Sequence, residues 1–248
     1  MHLSEVSWTD ADAAGTDLAV LPVGSTEQHG PHAPLGTDTL AAEAVARRGA
    51  DGCERPVVVA PTVPVGVAEE HRHFAGTLWV GEDTFRSYVR ETVESLAAHG
   101  WTRVVVVNGH GGNVDPLREV CAHLTRDETA YAVPFTWFDA VDPQGAGALG
   151  SQVRMGHGGP LETSLVRALD AALVDEDRFA EASENGADGW GEWQSGVNLV
   201  YDTAEFTESG VVGDPGQSNE AAGEQLLALA ETALADLLGA VATRDVGV

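Results

Sequence analysis

The segment Thr102–Val107 ends in four consecutive valines. A strand with one wet face alternates apolar and polar residues. An unbroken apolar run is instead buried on both faces, as in parallel sheets covered by helices. The rest of the chain fits that architecture. Asp17–Val23, Pro56–Val65 and Ala130–Phe135 are further strand-like segments. Helical periods lie between them. Asp38–Arg48 carries Leu40, Ala41, Ala44 and Val45 on one face, and Glu82–His99 carries Phe85, Val89, Val93 and Leu96 before the stop at Gly100. Asp115–Arg126 is helical, and Pro160–Leu173 enters a helix through Pro160 with Glu162 in its first turn. Ser218–Val241 reads as a long closing helix with Ser218 as its N-cap. Such alternation predicts an α/β fold in three layers, with a mainly parallel sheet between helices.

The 248 residues suit one domain spanning 1–248, without repeats or a linker. The stretch 183–217 is longer than ordinary connections and is expected to form a lid or a subunit contact, with Trp190, Trp193 and Tyr201 as contact candidates. A hydrophobic fraction of 43% without a long apolar run predicts a soluble chain with no membrane partner. The opening residues have neither the basic nor the apolar part of a secretory leader, and Cys53 and Cys121 cannot build a disulfide framework. A reducing cytoplasm is the expected setting, with both cysteines as small core residues.

The formal charge is −26, and all 13 basic residues are arginine. The lack of lysine excludes Schiff-base and P-loop chemistry, and the negative field makes nucleic acid a poor partner. Carboxylates spread along the whole chain suggest a halophilic surface, because in molar salt the Debye length falls to about 3 Å and silences self-repulsion. An ordinary acidic protein is the alternative.

Three loops concentrate ligand-type side chains. The first, residues 24–38, follows the strand ending at Val23 and holds Glu27, His29, His32 and Asp38 among glycines and prolines. Glu27 and His29 are two residues apart and share a face in extended backbone. Carboxylate with imidazole suits zinc, manganese or iron, and a carboxylate can bridge two cations that acidify a shared water. The second loop follows Val107 and places His110 among Gly109, Gly111 and Gly112, where the backbone can approach a ligand closely. Ligands in α/β sheets bind beyond the carboxyl ends of strands, so His29 and His110 are expected to converge. The third loop carries His157 and, at a helix start, Glu162. His157 is a candidate proton carrier, and Glu162 a candidate ligand, base or dipole partner. His71, His73 and Thr77 are candidate substrate contacts, with Gly111 and Gly112, and His32 is expected to support the ligands from behind.

Leu21–His32, Thr37-Asp38, His73–Thr77, Val107–His110, His157–Ser164 and Gly210–Pro215 together resemble the creatininase family of amidohydrolases, in family order and over most of the chain. The resemblance implies a three-layer α/β/α fold, a centre of two divalent ions, and hydrolysis of a non-peptide C–N bond. Glu27, Asp38 and His110 would hold one ion. His29 and a bridging Asp38 would hold the other, and His157 would shuttle protons. Creatininase itself has a glutamate at the place of Gly112, an aromatic residue at Gly111 and another at Val153. The pocket is therefore not expected to be shaped for creatinine, and Glu162 becomes the candidate for the vacant ligand position.

The His-Gly-Gly-Asn sequence at 110–113 is similar to that of the archaeal formamidopyrimidine nucleotide deformylases and of the mycofactocin precursor peptidases. Deformylation of 2-amino-5-formylamino-6-ribosylaminopyrimidin-4(3H)-one 5'-monophosphate is the leading expectation, with Arg72, Arg154 and the Gly111-Gly112 backbone as candidate phosphate contacts. Creatinine hydrolysis, precursor-peptide cleavage and a noncatalytic metal-binding scaffold are the alternatives. The resemblance also implies a homo-oligomer acting on a small molecule. The halophile reading predicts a higher urea unfolding midpoint in molar KCl than in dilute buffer; equal midpoints would remove it.

Overall fold

The computed structural model describes residues 1–150, 153 and 155–245, with the side chains of 142–146 left aside. Four parallel strands form the central sheet in the order β2-β1-β3-β4: β1 Leu18–Val23, β2 Val58–Val59, β3 Arg103–Asn108 and β4 Tyr131–Thr136. The helices are α1 Trp8–Asp12, α2 Thr37–Gly52, α3 Glu82–Ala98, α4 Val114–Arg126, α5 Trp137–Ala148, α6 Pro160–Asp170, α7 Phe179–Glu184 and α8 Glu220–Thr243. A short antiparallel hairpin, β5 Trp193–Gln194 and β6 Val197–Asn198, stands apart from the sheet.

Each strand of the sheet sends alternate side chains into two cores. Leu18, Val20, Val105 and Val107 pack with Val45, Leu165, Leu226 and Leu234 of α2, α6 and α8. Ala19, Leu21, Val104 and Val106 pack with Phe85, Val89, Leu117 and Leu124 of α3 and α4. The valine run is thus apolar on both faces because helices cover both. These are the three layers expected from the strand–helix alternation.

Several boundaries differ from the sequence reading. Of the expected Pro56–Val65 strand, Val58–Val59 forms the continuous ladder and Val63 adds an isolated bridge to Val23, with Pro56, Pro61 and Pro64, which have no N–H to donate, interrupting the run. The cap of α8 is Asn219, whose side chain accepts the Ala222 N–H at 2.9 Å, and Ser218 lies outside the helix. The helix expected to reach Leu173 stops at Asp170, which caps a separate 3₁₀ turn by accepting the Ala172 N–H. Cys121 is buried, whereas Cys53 is only half-buried against the other core. Helix α8 is long and apolar enough to cross a membrane by length and composition. Its Leu226, Leu227, Leu234 and Leu238 are buried against the sheet layer, and Glu220, Glu224, Glu231 and Asp236 lie along the same helix.

The carboxyl ends of β1 and β3 lie side by side, joined by the bond from Gly109 N to Val23 O at 2.9 Å. Directly beyond them, α2 begins. A side chain at Gly109 would drive into the backbone carbonyl of Asp38, so glycine there lets the strand end and the helix start touch. Gly109→Ala is expected to destabilise the fold by about 1–3 kcal/mol through this overpacking, read as a lower urea midpoint at unchanged m-value; an unchanged midpoint would contradict the close approach.

Candidate metal centre

Glu27 and His29 follow β1, Asp38 lies in the first turn of α2, and His110 follows β3. His157 precedes α6, and Glu162 lies in its first turn. All six side chains are buried at one place. The loops are held there by side chain to backbone bonds. Asn108 brackets His110, accepting its N–H at 3.1 Å and donating to its carbonyl at 2.8 Å. Asn113 ties Val67 N to Gly24 O across the β1 and β3 ends. His157 exchanges two backbone bonds with Val212, which explains a role for the Gly210–Pro215 segment.

Each central imidazole has one nitrogen bound to a backbone carbonyl. His29 Nδ1 meets Glu27 O at 3.2 Å, His110 Nε2 meets Val67 O at 2.6 Å, and His157 Nε2 meets Gln28 O at 2.6 Å. Donation to a carbonyl orients each ring and turns its other nitrogen toward the centre, where it can hold a proton or a metal. His110 Nδ1 then stands 3.0 Å from Glu27 Oε1 and 3.2 Å from Asp38 Oδ2, while His29 Nε2 stands 3.1 Å from Asp38 Oδ1 and 3.9 Å from Glu162 Oε2. None of these contacts satisfies Glu27 Oε1, Glu27 Oε2, Asp38 Oδ2 or His29 Nε2 with a directed hydrogen bond.

Buried acceptors facing one another are costly unless positive charge lies between them. Protons on the imidazoles can supply it. Burial opposes the charged form of His29, but Asp38, Glu162 and Glu27 outweigh it and push its pKa up to about 10. His110 is raised in the same way, against burial, by Glu27 and Asp38. Burial likewise opposes the Asp38 carboxylate, yet His29 and His110 hold its pKa well below the usual range. Burial, reinforced by Asp38, raises Glu27, and burial pushes Glu162 up to about 7. A divalent ion would take over this neutralisation from the protons, and its binding requires their release.

The donor set therefore fits a metal. Glu27, Asp38 and His110 offer ligand atoms within 4.8 Å of one another, and so do His29, His157 and Glu162. A third such group, Glu27, His71 and His157, was not expected from the sequence. His71 is buried behind the centre, stacked on His157 at 4.3 Å, with Nε2 3.4 Å from Glu27 Oε1. Gln28 and Thr203 contact its other nitrogen. Burial and the His110 and His29 charges depress its pKa to about 3, so it presents a neutral ring.

The centre opens into a cavity of about 430 Å³. Asp38, His71, His110, Gly111, Gly112, His157 and Glu162 reach its wall, and of these His71, Gly111 and Gly112 are sequence candidates for substrate contact. His73 and Thr77 are not on that wall. His73 turns to Asp202 at 3.3 Å, and the Thr77 hydroxyl accepts the Gln28 N–H. His32 bonds Thr163, the residue following Glu162, at 3.0 Å. Arg72 is held by Asp202 at 2.6 Å, and Arg154 lies outside the described residues. Val153 packs in the core, while Met155 and Phe138 face the cavity. Trp190 and Tyr201, read from sequence as subunit contacts, line the same cavity. Glu70 also lines it, and its only sequence signal was adjacency to His71.

A side chain at Gly112 would collide with the Val67 carbonyl and approach His110 Nε2. No carboxylate can stand there in this backbone. The carboxylate beside His29, with Asp38, is Glu162, whose Oε2 lies 3.9 Å from His29 Nε2.

The model of the family described as creatininase, creatinine amidohydrolase, matches residues 4–238. The mycofactocin precursor peptide peptidase of Mycolicibacterium smegmatis is 36% identical over 226 residues, 85% of this chain and 80% of that protein. The peptidase of the same name from Mycobacterium ulcerans is 37% identical over 65% of this chain, and the match spans only 62% of that protein's length. The creatinine amidohydrolase of Pseudomonas putida is 32% identical over 73% of this chain and 76% of its own. A mutant creatininase structure of Zn-Zn type superposes with a TM-score of 0.84 at 26% identity, covering 98% of each chain. A manganese creatininase structure gives 0.82 at 26% identity, covering 98% of this chain and 99% of that one.

Asp38→Asn is expected to remove bound metal from the dialysed protein, since the neutral amide cannot offset a cation between Glu27, His29 and His110; full occupancy by elemental analysis would contradict this.

Proposed function

This chain belongs to the creatininase family of metal-dependent amidohydrolases, and from that premise we propose that it cleaves an amide of a short peptide, in the manner named for the mycofactocin precursor peptidases. The observation that carries the reading is a buried, cation-requiring cluster of carboxylates and imidazoles at the floor of an aromatic-walled cavity. The extent of similarity to the Mycolicibacterium smegmatis peptidase supports the choice of substrate. We take the site to hold two divalent ions, one among Glu27, Asp38 and His110, the other among His29, Asp38 and Glu162.

Divalent ions bound there would acidify a water and polarise the scissile carbonyl. The protein supplies the rest. Burial, with the neighbouring His29 charge, holds the His157 pKa well below its usual value, so its ring is neutral and Nδ1 can accept a proton. Its Nε2 donates to Gln28 O, which leaves Nδ1 as the working atom, 3.8 Å from Glu27 Oε1. From there a proton can pass to the departing amine. Glu162 Oε2 accepts the Gly158 N–H at 2.7 Å, which orients the carboxylate toward His29.

The formamidopyrimidine nucleotide is the second substrate to test. Its phosphate needs a cation, and Arg72 is already neutralised by Asp202. On zinc- or manganese-loaded protein, short peptides are expected to be hydrolysed, with chelator-sensitive turnover, in preference to creatinine and the formamidopyrimidine nucleotide. His157→Ala is expected to lower kcat by about 10²–10⁴-fold with metal retained. Turnover of the nucleotide alone would overturn the peptide reading, and an active His157→Ala would reassign the proton carrier.

A further inference from the structure

Glu70 lines the cavity beside His110, yet it has no task in the metal centre as described. Its Oε1 is 3.6 Å from His110 Nε2, outside hydrogen-bond distance. That nitrogen already donates to Val67 O at 2.6 Å, so the His110 ring is oriented without Glu70. The Glu70 side chain is 23% exposed and makes no ion pair with any arginine among the described residues. The bare backbone of Gly112 keeps the space in front of it open, since a Cβ there would stand 3.1 Å from Glu70 Oε1.

The rest of the wall has matching chemistry. Among the described residues no arginine lines the cavity, and the aromatic side chains of Trp190, Tyr201 and Phe138 do. Trp190 is braced edge-on against His71, the residue following Glu70, at 5.9 Å. Asp202 and Thr203, which follow Tyr201, are tied to Arg72 and His71. The aromatic arm and the turn bearing Glu70 are therefore one assembled wall. A carboxylate sharing a cavity wall with aromatic rings favours a cation and repels phosphate or carboxylate groups.

We propose that Glu70, with Trp190 and Tyr201, receives a cationic nitrogen group of the substrate. That this group belongs to a substrate rests on the amidohydrolase reading, but the binding does not depend on turnover. Benzyltrimethylammonium is a suitable probe, since it has charge and a ring but no lone pair to offer a metal. Calorimetric titration into zinc-loaded full-length protein is expected to show binding that Glu70→Gln weakens by at least roughly tenfold, with metal content unchanged. Glu70→Asp is expected to keep most of the affinity. Absence of binding to the unsubstituted protein, equal binding by Glu70→Gln, or loss of metal from Glu70→Gln would each overturn the proposal, the last by making Glu70 a support for His110. Failure of the peptide panel with this cation binding intact would remove the proposed activity and leave Glu70's role standing. Peptide turnover without cation binding would do the reverse.

Discussion

Positive charge between Glu27, Asp38, His29 and His110 is the condition on which this site depends. Two buried carboxylates and two imidazoles face each other with acceptor atoms unsatisfied, an arrangement that no packing of apolar side chains can compensate. Protons on the imidazoles can meet the condition, and a divalent ion can meet it with ligands that are already oriented. The backbone carbonyls of Glu27, Val67 and Gln28 achieve that orientation, each holding the outer nitrogen of one ring.

The fold supplies the convergence. Helices on both faces force β1 and β3 to be apolar throughout, so their polar residues are displaced to the strand ends. There the two loops emerge next to one another, and the start of α2 closes on them through Gly109. A third element, the loop before α6, is pinned by the His157–Val212 bridge. Chemistry at this site is thus a consequence of sheet order: two adjacent parallel strands, each followed by a ligand loop.

Much of this was legible in the sequence because it follows from local rules. The valine run announced a doubly covered strand, and the positions of Glu27, His29, Asp38 and His110 after strands or at a helix start announced their meeting. Periodicity located α3 and α4 to within a residue or two. Pro61 and Pro64 interrupt the pairing that the Val-rich composition of 56–65 suggests, and Asn219 outcompeted Ser218 as a cap. The cavity wall was least legible. His73 and Thr77 sit in a motif with His71, but only His71 reaches the cavity, since Asp202 draws His73 away. Glu70, Trp190 and Tyr201 come together through long-range ties between residues 71–72 and 202–203, which leave no local periodic trace.

The most direct test of the central claim is anomalous diffraction from crystals of the manganese- or zinc-loaded protein. Density for divalent ions is expected among Glu27, Asp38 and His110 and between His29, Asp38 and Glu162, about 3.5–4 Å apart if both are filled. Ions bound elsewhere, or a fully ordered centre that stays free of metal at saturating concentration, would contradict it.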